Sequence, residues 1–183
     1  TARDYLLLLI FSGLRRREAA RLRWSDIDLK GRTLTVPDTK NRRPHTLPLS
    51  HFLFEMLEER RRSTTGDFVF PGGGQRGHIG SLRTSQRAVI ETSGVSFTLH
   101  DLRRTFTTIA ESLDIPGYAL KRMLNHSDGA DVTAGYIVVS VERLREPMEK
   151  VAEYLTRAMG ITPTKVYSFG EQAHAAPKPI HAS

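Results

Sequence analysis

The sequence predicts a mainly α-helical domain with one small antiparallel β-sheet, an α+β fold, and three observations carry that expectation. The chain opens on an apolar run, Tyr5–Phe11, that reads as a buried helix. Strand-like alternation is confined to a short window between residues 27 and 49. Beyond it, capping residues precede segment after segment of helical length. The 183 residues suit one domain on the usual span of roughly 100–200 residues each.

In chain order, Ala2–Phe11 is expected to be helical and apolar almost all round. Ser12-Gly13 breaks it, and Arg16–Arg23 restarts as a short helix carrying Ala19, Ala20 and Leu22. Ile27–Val36 reads as a hairpin, because Asp-Leu-Lys-Gly-Arg offers a glycine turn and Leu34 and Val36 alternate with threonines. Pro37–Pro44 is polar and turn-rich, and a third short strand follows at His45–Leu49. Ser50 is the expected N-cap of a helix over Phe52–Arg62. Gly66–Gly77 reads as a loop with a short extended piece at Asp67–Phe70, and Ile79–Thr92 as a helix. Thr98 should cap a helix running through Leu113, and Asp114-Ile115-Pro116 should start another ending near Asn125. His126–Asp131 is a loop ahead of a short helix holding Tyr136, and Ser140–Met159 is helical sequence interrupted at Pro147. From Gly160 onward Pro, Ala, Lys and His without periodicity predict a flexible tail, so the expected division is a domain at 1–159 and a tail at 160–183.

Composition excludes several classes of function. With no cysteine there is no disulfide scaffold, thiolate metal site or cysteine nucleophile. The longest apolar run is seven residues, far short of the roughly 20 that a membrane-spanning helix needs. Thr1, not Met, opens directly into helical sequence, so a piece of a longer protein is expected. Lys and Arg number 27 against 20 Asp and Glu, a net charge of +7 that favours a polyanionic partner. An Arg-rich genome would also raise the count, but the distribution is uneven. Ten basic residues fall between Leu14 and Arg43, against four acids, and that places nearly all the excess in one sixth of the chain.

The motifs with chemical content begin at His100-Asp101-Leu102-Arg103-Arg104-Thr105. On a helix His100 and Arg103 are three apart and share a face, with Leu102, Phe106 and Ile109 expected on the buried side. A His beside the planar fork of an Arg can hold two oxygens of a phosphate. Alone, the pair is more simply a solvated helix with an incidental His. Ser12-Gly13-Leu14-Arg15-Arg16-Arg17-Glu18 adds an Arg on a glycine-loosened junction, and Leu124-Asn125-His126-Ser127 a His just past a helix end. Gly135-Tyr136-Ile137 adds a Tyr ten residues later, and Thr39-Lys40-Asn41 a Lys at the tip of the sheet.

With these residues in this order, the sequence resembles the tyrosine recombinase, or phage integrase, family over roughly Ala2–Val151. The resemblance implies a catalytic set of Arg15, Lys40, His100, Arg103, His126 and the nucleophile Tyr136, with Glu18 as the supporting acid that commonly follows the first Arg. The interval from His126 to Tyr136 is one residue longer than in the commonest members, and Arg16-Arg17 is more basic than typical. Arg16, Arg17, Arg42, Arg43 and Arg104 are candidate DNA contacts. Arg15, Arg103 and His126 would neutralise the non-bridging oxygens of a phosphodiester as charge builds in the transition state. The phenol of Tyr136 would lose its proton to His100 as it attacks, and Lys40 would protonate the leaving 5′-oxygen. The phosphotyrosyl ester conserves bond energy, so rejoining needs no ATP. No carboxylate cluster suggests Mg²⁺, so metal-free chemistry without a cofactor is expected.

The implied partner is double-stranded DNA, with an N-terminal DNA-binding domain ahead of Thr1 and a homotetramer on paired sites in the full-length protein. The isolated fragment would be a monomer, and the location cytoplasmic, on bacterial DNA. A type IB topoisomerase or resolvase shares the chemistry, and a non-catalytic DNA-binding module retaining the fold belongs to a different class. The complete residue set argues against the latter. After Pro147, Met148, Val151, Ala152, Leu155 and Met159 form an apolar stripe opposite Glu149, Lys150, Glu153 and Arg157. That stripe either packs on its own domain or, as the resemblance allows, docks on a neighbouring protomer. Gly72-Gly73-Gly74 lacks the Lys-Ser/Thr of a phosphate loop, and His45, His51 and His78 lack metal-ligand spacing, which leaves them as strand or surface positions.

Overall fold

A computed structural model describes residues 1–39, 44–126 and 140–161. Helix α1 (Ala2–Ser12) is the centre of the core, with Tyr5, Leu8, Leu9 and Phe11 buried. It ends at Gly13, whose φ of +65° is the left-handed conformation that lets its N–H reach the Leu9 carbonyl. A Cβ there would also stand 2.6 Å from the Phe106 ring, so the position needs glycine twice over. Helix α2 (Arg16–Ala20) is shorter than the sequence suggests, because the backbone beyond it pairs elsewhere. Arg23 forms an isolated bridge with Phe68, Val69 N–H donates to the Leu22 carbonyl, and Trp24 N–H donates to Asp67.

Strands β1 (Ile27–Asp28), β2 (Thr33–Val36) and β3 (His45–Pro48) form one antiparallel sheet in sequential order. Leu34 pairs with Leu47 and Val36 with His45, so one face of the sheet is buried, while Thr35 and Thr46 share a hydrogen bond of 3.0 Å. The tight turn between β1 and β2 has its left-handed residue at Arg32 rather than Gly31. Gly31 instead donates its N–H to Asp28 at 2.8 Å, in a space where a Cβ would strike that carboxylate. Ser50 caps α3 (His51–Ser63) by accepting from Leu53 N–H, as expected.

Helix α4 (Arg83–Ser93) starts four residues later than the sequence suggests. Pro71 and His78 form an isolated bridge and Ile79 N–H donates to the Phe70 carbonyl, which holds the chain extended there. Helices α5 (Leu99–Ser112) and α6 (Gly117–Met123) follow, then a 3-10 turn at Val141–Leu144 leads into α7 (Arg145–Ala158). Pro147 does not interrupt α7. It occupies the first turn, where no intrahelical N–H is required. Helix α7 packs on α1, α3 and α5 of its own domain, with Met148, Val151, Ala152 and Leu155 buried and Met159 left exposed. The apolar stripe is therefore used in cis. Glu149, expected on the solvent face, is part-buried and accepts from His51 N–H at 2.9 Å, which secures the first turn of α3. No helix among the described residues is long and apolar enough to cross a membrane.

Candidate active site

The phase of α5 is set at its first turn. Thr98 Oγ1 accepts from Asp101 N–H, and the Asp101 carboxylate accepts from Thr98 N–H at 2.8 Å, a reciprocal capping box. That phase turns Arg103, Phe106 and Ala110 inward together. Phe106 is buried as expected, but Leu102 and Ile109 are only part-buried, and Arg103 shares the buried face rather than standing opposite it.

Arg103, only 7% exposed, reaches three acceptors on two chain segments. Its Nη1 donates to the Gly13 carbonyl, and its Nη2 donates to the Leu124 carbonyl at 2.6 Å and to His126 Nε2 at 3.2 Å. Gly13 and Leu124 cap the C-termini of α1 and α6, so both carbonyls lie at negative helix ends that suit a cation. Because a guanidinium has no acceptor, His126 Nε2 presents its lone pair and the ring carries its proton on Nδ1. Burial, and secondarily the nearby Arg15 guanidinium, push the Arg103 pKa down to about 10, with Glu18 pulling the other way.

Arg15 follows Gly13-Leu14 directly and opens α2. Glu18, buried one turn on, accepts from Arg15 Nη1 and from Arg15 N–H, each at 2.9 Å. One carboxylate thus orients the guanidinium and closes the helix start. The result is two neighbouring guanidiniums sharing one acid, with Arg103 bonded to no carboxylate among the described residues. Such donors, held in place by the fold, can receive an oxyanion.

Four of the expected residues are therefore brought together: Arg15, Glu18, Arg103 and His126. His100 stands one turn before Arg103 on α5, exposed, and bonds to none of those four among the described residues. Arg16 and Arg17 are exposed on α2, and Arg104 is exposed with Asp101 3.6 Å away. Lys40, Arg42, Arg43 and Tyr136 lie outside the described residues.

Beside this cluster stands His45, a strand position without metal-ligand spacing. His45 is 5% exposed and its Nε2 lies 3.2 Å from the Met123 carbonyl. Burial pushes its pKa down to about 4, with the Met123 carbonyl and Glu18 acting against the shift and Arg122 and Arg103 acting with it. The signal that finds it is strand alternation, since His45 shares the parity of buried Leu47 while Thr46 points the other way.

The site gathers two arginines and an imidazole on a mainly helical fold with a three-stranded sheet, a set of donors that suits an anion. The chain belongs to the phage integrase family, whose family model matches residues 1–143. It is 30% identical over 167 residues to prophage integrase IntF of Escherichia coli K12, covering 88% of this chain and 36% of that protein. It is 28% identical over 169 residues to tyrosine recombinase XerA of Thermococcus kodakarensis, covering 86% of this chain and 58% of that protein. The chain thus spans between about a third and three-fifths of these relatives' lengths. Among solved structures, the integrase from mycobacterium phage Brujita matches with a TM-score of 0.66 at 28% identity, covering 82% of this chain and 51% of that one. The Tn1549 transposon integrase in complex with circular intermediate DNA shares the fold, with a TM-score of 0.56 at 18% identity, covering 82% of this chain and 56% of that one. The fold is that of the tyrosine-recombinase integrases.

Proposed function

We propose that this chain is the catalytic domain of a site-specific DNA recombinase that cleaves and rejoins strands through a 3′-phosphotyrosyl ester on Tyr136. The supporting observation is the Arg103 guanidinium, buried and, among the described residues, bonded to no carboxylate, beside an Arg15 that is paired with Glu18. A phosphodiester supplies the missing negative charge, and that charge grows as the phosphorus is attacked. Among the described residues Arg103 donates to three acceptors, and the remaining N–H groups of its fork are the ones this reading assigns to non-bridging oxygens. The Tyr136 oxygen bonds to phosphorus and the bond to the 5′-oxygen breaks. The phenolic proton goes to His100, and Lys40 protonates the leaving 5′-oxygen. Attack by a 5′-hydroxyl reverses every step, so no ATP is consumed.

The partner is double-stranded DNA, a reading supported by the charge concentrated between Leu14 and Arg43 and by the DNA-bound integrases that share the fold. A homotetramer on paired sites is the assembly this reading implies, with its subunit link outside the stripe that α7 uses at home. The relatives from prophages point to the bacterial cytoplasm as the place of action. A nicked duplex that traps the cleaved strand tests the chemistry. The wild-type chain should form a covalent 3′ adduct, and Tyr136→Phe should bind DNA yet form none. An adduct mapping to Tyr118 or Tyr154 overturns the assignment of the nucleophile. DNA binding with no adduct at all identifies a binding module. Strand exchange between two duplexes separates a recombinase from an enzyme that only relaxes DNA.

A further inference from the structure

Among the described residues, His45 is a buried titratable side chain to which the cleavage chemistry assigns no part. It opens β3, pairs with Val36 across the sheet, and lies against the end of α6. A carbonyl oxygen only accepts, so the 3.2 Å contact with Met123 is a donation from His45 Nε2–H, and the ring is neutral with its proton on that nitrogen. Met123 is the last residue of α6, and the turn that follows carries the groups Arg103 depends on. The next carbonyl, Leu124, accepts from Arg103 at 2.6 Å. Asn125 then adopts a left-handed φ of +48°, and His126 N–H returns to the Lys121 carbonyl at 3.0 Å. His126 Nε2 completes the path by accepting from Arg103.

We propose that His45 is a positioning residue of the arginine site: its Nε2–H holds the Met123 carbonyl and thereby fixes the turn that presents Leu124 and His126 to Arg103. The catalytic consequence rests on the recombinase reading above, whereas the structural link from His45 to His126 does not. The charged groups facing the ring are Glu18 from α2, Arg103 from α5 and Arg122 from α6. A neutral donor serves here because a charged imidazolium would meet two guanidiniums against one carboxylate.

The experiment compares three variants of the full chain. His45→Gln places an amide N–H where Nε2 lies; His45→Asn is too short to do so, and His45→Leu has no donor. Each is measured for DNA affinity, for single-turnover adduct formation on the nicked duplex, and for the NMR titration midpoint of the His126 imidazole. A buried carbonyl left unsatisfied is worth about tenfold or more in the equilibrium that holds the turn. His45→Asn should therefore slow adduct formation by about tenfold or more while DNA affinity changes by less than about threefold. The His126 midpoint should move in the same variant. His45→Gln should restore both the rate and the midpoint. His45→Leu gives the same readings as His45→Asn if the shorter amide fails to fold. An unchanged rate and midpoint in the donor-free variants overturn the proposal, and so does an equal loss in His45→Gln. If the wild-type chain forms no adduct, the recombinase reading fails by itself, and the His126 midpoint still decides the proposal.

Discussion

A buried guanidinium carries a desolvation cost of several kcal/mol unless its donors are met, and Arg103 meets it with two helix-end carbonyls and an imidazole. These three acceptors fan out over two segments, which a planar fork can span and a single ammonium cannot. Arg103→Lys should therefore fail almost as badly as Arg103→Ala, each lowering the single-turnover cleavage rate by about 10²-fold or more. Arg15→Ala should do the same, and a rate within a few-fold of wild type would remove that residue from the site. His45 makes a prediction about stability. Its pKa near 4 in the fold lies below the ordinary value of 6.5, so between these pH values the unfolded chain takes up a proton that the folded chain refuses. Stability contributed by His45 is full above pH 6.5 and is lost as pH falls towards 4, at up to about 1.4 kcal/mol per unit. Urea midpoints measured from pH 7 to 4.5 should fall more steeply in wild type than in His45→Gln.

At the scale of elements, the cis packing of α7 changes what a truncation would mean. Removing the chain after Pro147 takes away Met148, Val151, Ala152 and Leu155, all buried against α1, α3 and α5, so it should unfold the domain rather than loosen an assembly. Leu155→Ala should cost about 2–5 kcal/mol in denaturant melts, and Met159→Ala about 0.5 kcal/mol or less. Periodicity made the stripe legible, but it could not name the surface that would receive it, because a face shows only that burial occurs. The same limit explains Arg103. Its spacing to Phe106 and Ala110 is as helical as that of Leu102 and Ile109, and charge alone suggested the wet side. The caps Ser50 and Thr98 and the break at Gly13 were legible because they are local, each acting within four residues. The start of α4 and the end of α2 were not, since both are decided by pairing with residues distant in the chain.

For the whole molecule, the motif residues were readable in order while the acceptors holding them were not, because the Gly13 and Leu124 carbonyls are backbone atoms common to every sequence. An anion that enters this site relieves the repulsion between Arg15 and Arg103 and should stabilise the entire fold. At a sulfate or vanadate concentration ten times its dissociation constant the gain should be about 1.4 kcal/mol. Thermal melts at matched ionic strength should therefore rise with sulfate or vanadate over chloride in wild type, and should not in Arg103→Ala.

The reach of Arg103 also bears on synthesis of the protein. Its acceptors come from residue 13, ninety positions earlier in the chain, and from residues 124 and 126, more than twenty positions later. A chain still on the ribosome holds the first of these long before the last. The guanidinium can be fixed only after α6 has emerged and folded onto α5. An unfinished polypeptide therefore carries Arg103 with its fork unheld, and the arginine site takes shape late in translation, with the closure of the fold itself.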